Sequence, residues 1–192
     1  ASSDGCFTRI EYLPLWKDAP LEPLLRRISD DAKPEALAVV MTGELADCFS
    51  NKWSGVLFIK EAVERSFSCP VRFWGADGFR WTDATDLAAA NWSASASLVS
   101  KEIGDCIFVD MGSTTTDLVP IKSGPKAGRT DFERLARGEL IYSGLLRTNL
   151  AFLLREVEIG DRRVPLSSEL FAIAADAHLV LGDIAEGAYT VE

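Results

Sequence analysis

Residues 106–119, CIFVDMGSTTTDLV, set two short apolar runs on either side of a small polar turn. Ile107, Phe108 and Val109 read as a strand that delivers a carboxylate, Asp110, to its end. A turn at Gly112 follows, then Ser113, Thr114, Thr115 and Thr116, then a second carboxylate, Asp117. The chain leaves on Leu118 and Val119. Apolar strand, small polar loop, apolar strand is an arrangement that exposes backbone N–H groups to a phosphate. Gly112 is expected to supply positive φ and close backbone approach, and the four hydroxyls supply further donors. Ionised Asp110 and Asp117 only accept hydrogen bonds, so they do not hold phosphate directly. They suit a bridging divalent cation such as Mg²⁺, or the positioning of a water. On spacing alone, a plain hairpin with a threonine-rich turn is the alternative.

Outward from this stretch, strands and helices alternate, which places the chain in the α/β class. On the N-terminal side, Asp4-Gly5 is a turn signal before a strand over Cys6 to Leu13. A helix is expected over Pro20 to Asp31, with Leu21, Leu24, Leu25 and Ile28 on one face. Ala36 to Met41 is a continuous apolar run typical of a strand covered on both sides. Trp53 to Phe67 carries the stripe Val56, Ile59, Val63 and Phe67, with Ser50 or Asn51 as its cap. Val71 to Trp74 is a short strand, and a turn over residues 75–78 leads into Phe79, Arg80 and Trp81. Asp83 or Thr85 is expected to cap a helix through Leu87 to Ser100. On the C-terminal side come a loop over 122–130, a helix over Asp131 to Arg137, and a turn or short strand over Gly138 to Gly144. Residues 145–156 read as extended or mixed, and Val157 to Val164 as a hairpin around Gly160. A last helix is expected from Ser167 to Leu181, with Gly182 at its C-terminal end.

The bulk properties exclude several classes. A net charge of −9 argues against non-specific nucleic-acid binding and against attraction to anionic membranes. No apolar run reaches the length of a membrane span. The 4 cysteines, Cys6, Cys48, Cys69 and Cys106, are scattered without a CxxC pair, and read as buried free thiols in a reducing cytoplasm. With 1 histidine, His178, a histidine-built metal site is excluded. The absence of an initiator methionine and the abrupt ends read as a piece of a longer protein.

The segment Asp110 to Asp117 resembles the second phosphate loop of the hydantoinase A/oxoprolinase family. That family lies within the acetate kinase, sugar kinase, Hsp70 and actin superfamily. Residues 41–47 (MTGELAD), 138–148 (GELIYSGLLRT) and 169–178 (ELFAIAADAH) resemble its branch for tetrahydromethanopterin-linked C1 transfer and methanofuran biosynthesis. The likeness covers roughly residues 4 to 190. It implies ribonuclease-H-like lobes, as in actin-like ATPases: a first over residues 1–103 that lacks its first strand and phosphate loop, and the start of a second, with an inserted subdomain, over 104–192. It also implies a transferase that joins an aminomethylfuran diphosphate to the phenol of γ-glutamyl-tyramine, releasing diphosphate. The wider family implies an ATP-dependent hydrolase or kinase instead, and a non-catalytic nucleotide-binding protein would keep the same fold. Ser113 departs from the family pattern, standing where many relatives have a second glycine; serine tolerates positive φ poorly.

On this reading Gly112 to Thr116 cradle diphosphate or the phosphates of ATP, while Asp110 and Asp117 hold Mg²⁺. Glu44, just past a strand end, is a candidate base or metal partner. Arg147 would bind phosphate or a substrate carboxylate with its fork of donors, and Tyr142 would stack on an aromatic substrate. Glu169 and Asp176 fall two helical turns apart, on one face. Asp176, among alanines, needs a partner or a function. The partner class is a small molecule, with room for a homodimer and none for nucleic acid or membrane.

Overall fold

The computed structural model describes Gly5 and residues 7–15, 20–79 and 83–189. Asp4, Cys6, Arg80 and Trp81, which entered the expectations above, lie outside these. The chain divides into two compact units, Ala1–Leu98 and Val99–Glu192. Both mix helices with small sheets, so the chain is α/β.

The first unit is organised by a strand–helix–strand crossover. β1 (Leu37–Val39) pairs in parallel with β2 (Val71–Phe73), and α2 (Lys52–Ser66) connects them after α1 (Leu21–Ala32). Asn51 starts α2: its side chain accepts from the Ser54 N–H at 2.9 Å, and Ser54 Oγ accepts from the Asn51 N–H at 3.3 Å. The expected stripe Val56, Ile59, Val63 and Phe67 is buried against Met41, Phe73 and Leu87. β1 is shorter than the apolar run that predicts it, and Val40 beyond it is exposed.

Two expectations fail in this unit. Phe7 to Leu13 forms no strand, and Ile10 stays 92% exposed; alternation without a pairing partner does not make a strand. The helix expected from Asp83 onward is broken. Asp83 caps a short 3₁₀ turn, Ala84–Leu87, and α3 runs over Asn91–Ile103. Between them Ala89 takes the left-handed conformation, φ 49°, and its N–H donates to the Glu44 carboxylate at 2.7 Å. A long-range contact thus captures a donor that the continuous helix would have used.

The second unit is built on β3 (Cys106–Met111), β4 (Thr116–Ile121) and β5 (Leu140–Ile141), antiparallel in that order. α4 (Asp131–Arg137) has the expected bounds. Thr130 caps its N-terminus, Asp131 and Glu133 complement the first turn, and Gly138 ends it at φ 71°. A short helix, α5 (Leu150–Leu153), precedes the hairpin of β6 (Glu156–Ile159) and β7 (Arg162–Pro165). α6 spans only Ala174–Leu181. The residues before it pair instead with the segment around Thr148: Leu150 N donates to Ala172 O at 3.0 Å, and Ala174 N to Thr148 O at 2.8 Å. Glu169 therefore lies outside the helix, and the two-turn spacing to Asp176 does not exist. Cys48 is exposed and Cys69 and Cys106 half-buried, all three free, where burial was expected.

Candidate functional site

The β3–β4 ladder runs in register from Cys106↔Ile121 to Met111↔Thr116, so Asp110 and Asp117 are direct cross-strand partners on one face. The loop between the strands is closed by Gly112 N donating to Thr115 O at 2.8 Å. A second segment then clamps it. Leu145 N donates to Gly112 O at 3.0 Å, and Leu146 N and Arg147 N donate to Ser113 O at 3.0 and 2.8 Å. Thr116 Oγ1 donates to Ser143 O at 2.6 Å. The buried Thr148 hydroxyl accepts from Gly144 N at 2.8 Å and donates to Gly144 O at 2.9 Å. The loop's carbonyls are thus drawn toward residues 145–147. Among the described residues, none of the N–H groups of Ser113, Thr114 and Thr115 donates to a carbonyl or side-chain oxygen.

The glycine that this arrangement requires is Gly144. A Cβ there would stand 2.6 Å from Gly112 O and 2.6 Å from Thr114 N. Gly112 has no left-handed φ, and a Cβ on it would meet only Thr115 O, at 3.5 Å. The expectation of positive φ at Gly112 is therefore corrected, and Ser113 needs none either. Thr116 is corrected too: its hydroxyl is buried and committed to Ser143 O, so it is no phosphate donor. Ser113 and Thr115 are half-buried and Thr114 is exposed, so their hydroxyls stay within reach of solvent.

The two carboxylates differ in their surroundings. Asp117 forms an ion pair with Arg134, whose side chain is 2% exposed and also lies 3.5 Å from Asp131. Burial pulls the Arg134 pKa down, while nearby Glu139 and Tyr142 push it up. Asp110 is half-buried, and no donor takes its carboxylate among the described residues. No group of three or more His, Cys, Asp or Glu among the described residues forms a ready metal cage. Mg²⁺ commonly binds through one or two carboxylates plus substrate phosphates. The Asp110 carboxylate is open to such a role, and one oxygen of Asp117 is engaged by Arg134.

Arg147 is exposed, tied to the loop through its backbone, and its guanidinium forms no ion pair among the described residues. Tyr142 is 52% exposed at the end of β5. Asp176 proves to be a helix cap. One of its oxygens accepts from Ile173 N at 2.8 Å and the other from Tyr189 OH at 2.6 Å. The Tyr189 hydroxyl, then the Ile173 N–H, hold the Asp176 pKa below the usual carboxylate range, and Asp176 raises that of Tyr189. Both of its oxygens are thereby engaged within the fold.

Glu44 belongs to the first unit and is not a surface turn residue but 1% exposed. Oε1 takes the Ala89 N–H, while Oε2 has no partner among the described residues. A Cβ on Gly55 would stand 2.2 Å from Glu44 O, so α2 lies directly on its backbone.

Three site residues escape a reading of the sequence: Gly144, Thr148 and Arg134. Only Arg134 leaves a local trace, since the Thr130 cap and Gly138 stop define α4 and put it one turn past Asp131.

The hydantoinase/oxoprolinase family model matches residues 35–191. The chain is 43% identical over 190 residues to the (4-{4-[2-(gamma-L-glutamylamino)ethyl]phenoxymethyl}furan-2-yl)methanamine synthase of Methanocaldococcus jannaschii, covering 94% of this chain and 57% of that protein. It is 48% identical over 99 residues to a protein of the same name from Methanococcus vannielii, covering 50% of this chain and 45% of that protein. The chain thus spans about half the length of the curated relatives it matches.

Proposed function

The chain belongs to the hydantoinase/oxoprolinase family, and we propose that it carries the diphosphate-binding part of a synthase that builds a furan-methanamine C1 carrier. The relatives' name describes a furan-methanamine joined through a methylene to a phenoxy group. An ether of that kind forms when a phenol oxygen attacks the methylene of an aminomethylfuran diphosphate. The methylene–oxygen bond to diphosphate breaks, its electron pair leaves with the diphosphate, and the phenol loses its proton. Negative charge grows on the leaving group, so the protein's task is to receive that charge in a fixed place.

The observation that carries this reading is the loop itself. Its carbonyls are engaged by Leu145, Leu146 and Arg147, its N–H groups at Ser113, Thr114 and Thr115 remain, and the Arg147 guanidinium hangs from the same clamp. Such donors hold two or more phosphate oxygens at once. Asp110 would hold Mg²⁺, whose charge would further neutralise the diphosphate. Tyr142, exposed at the end of β5, offers a ring for the aromatic substrate to stack on. The units are read as parts of ribonuclease-H-like lobes, following the family likeness.

A second reading is favoured by the family match over residues 35–191: an ATP-dependent hydrolase or kinase that uses the same loop for nucleotide phosphates. Calorimetric titration separates the two. With Mg²⁺ present, inorganic diphosphate should bind and ATP should bind more weakly or not at all. Tight ATP binding without diphosphate binding eliminates the transferase reading.

A further inference from the structure

The buried guanidinium of Arg134 is assigned no part in the reaction above. It stands on α4, a helix whose ends are fixed by the Thr130 cap and the Gly138 stop, and it is ion-paired with Asp117. Asp117 in turn faces Asp110 across the ladder, residue against residue. Two like charges directly opposed on an antiparallel pair repel each other, and two free carboxylates at that spacing make a seat for a divalent cation. A loop meant to receive a polyanion is poorly served by two uncompensated negative charges at its base, because each opposes the ligand.

We propose that Arg134 is a positioning residue that sets the charge preference of the site. By holding the Asp117 carboxylate, it keeps the loop a receptor for an anion and leaves a cation the single carboxylate of Asp110. This rests on the reading that the loop takes a phosphate-type anion. The guanidinium does not touch the ligand. It acts through Asp117, whose side chain it orients away from a shared role with Asp110. A lysine at this place would supply the charge without the planar fork that fixes a carboxylate.

The test uses the full 192-residue chain and two probes, Mn²⁺ alone and inorganic diphosphate in metal-free buffer, each followed by calorimetry. In Arg134→Met the released Asp117 joins Asp110. Mn²⁺ should bind about tenfold more tightly and diphosphate about tenfold more weakly. In Asp117→Asn one negative charge is removed from beside Arg134 and from opposite Asp110, and both shifts should reverse, by several-fold. A merely structural Arg134 would weaken both ligands together in Arg134→Met, and that result overturns the proposal. Removing a buried partner can unfold a protein. If Arg134→Met fails to fold, Asp117→Asn decides: tighter diphosphate with weaker Mn²⁺ upholds the assignment, and unchanged diphosphate affinity overturns it. Failure of diphosphate to bind the unaltered chain sinks the anion reading instead, and the Mn²⁺ titrations still report on Arg134.

Discussion

A Cβ placed on Gly144 would stand 2.6 Å from the backbone nitrogen of Thr114, closer than real Cβ atoms come to heavy atoms outside their own residue and its chain neighbours. Gly144→Ala must therefore push the clamp off the loop. It should cost about 1–3 kcal/mol of stability and remove most diphosphate binding. Gly112→Ala should stay within about 0.5 kcal/mol, because its added carbon meets only Thr115 O, at 3.5 Å. Thermal denaturation of the two variants side by side checks this; equal stability would contradict the clamp.

Arg147 should matter for ligand and not for fold. Its guanidinium has no ion pair among the described residues, so Arg147→Gln should shift stability by less than about 0.5 kcal/mol. Losing a charge-assisted donor should weaken diphosphate binding about tenfold. A large loss of stability with unchanged binding would assign Arg147 to the scaffold.

The Asp176–Tyr189 hydrogen bond predicts a defined pH profile. The folded-state pKa of Asp176 is depressed, so its contribution is complete above the ordinary carboxylate value and is lost as pH falls through the depressed one. That of Tyr189 is raised, so its contribution is complete below the ordinary value, about 10, and is lost as pH rises through the raised one. Tyr189→Phe should lower Tm most at neutral pH, with the gap to the unaltered chain narrowing toward both extremes. Melting curves across pH check it, and a gap constant with pH would refute it.

Glu44 should prove structural within its unit. Glu44→Ala leaves the Ala89 N–H without its acceptor and opens a cavity beside α2, costing about 2–4 kcal/mol. Glu44→Gln keeps an acceptor for that N–H and should cost less than about 1 kcal/mol. Urea unfolding distinguishes them, and equal losses would show that the charge, not the hydrogen bond, is what the fold uses.

What was legible in the sequence was local. The Thr130 cap and the Gly138 stop give α4 its bounds, the Val56–Phe67 stripe gives α2 its buried face, and the two apolar runs flanking the turn at Gly112 give the β3–β4 hairpin. What was missed depends on contacts between distant residues. The helix after Asp83 breaks because Glu44, from another loop, captures the Ala89 N–H. The start of α6 is delayed because Ala172 and Ala174 pair with residues near Thr148. Within the candidate site, the loop and its flanking aspartates were visible. The Gly144 clamp was not, because close approach between two backbones leaves no period or cap in either segment.

The turn from Gly112 to Thr115 is held on one side by the N–H groups of Leu145 to Arg147 before any ligand arrives. Peptide planes fixed in advance leave little freedom to be surrendered on association. Capture is then a matter of encounter rather than closure. An arriving polyanion must approach a body carrying a net charge of −9, and dissolved salt screens that repulsion. Uptake should accordingly run faster in salty buffer than in dilute buffer, the reverse of a partner drawn in by opposite charge.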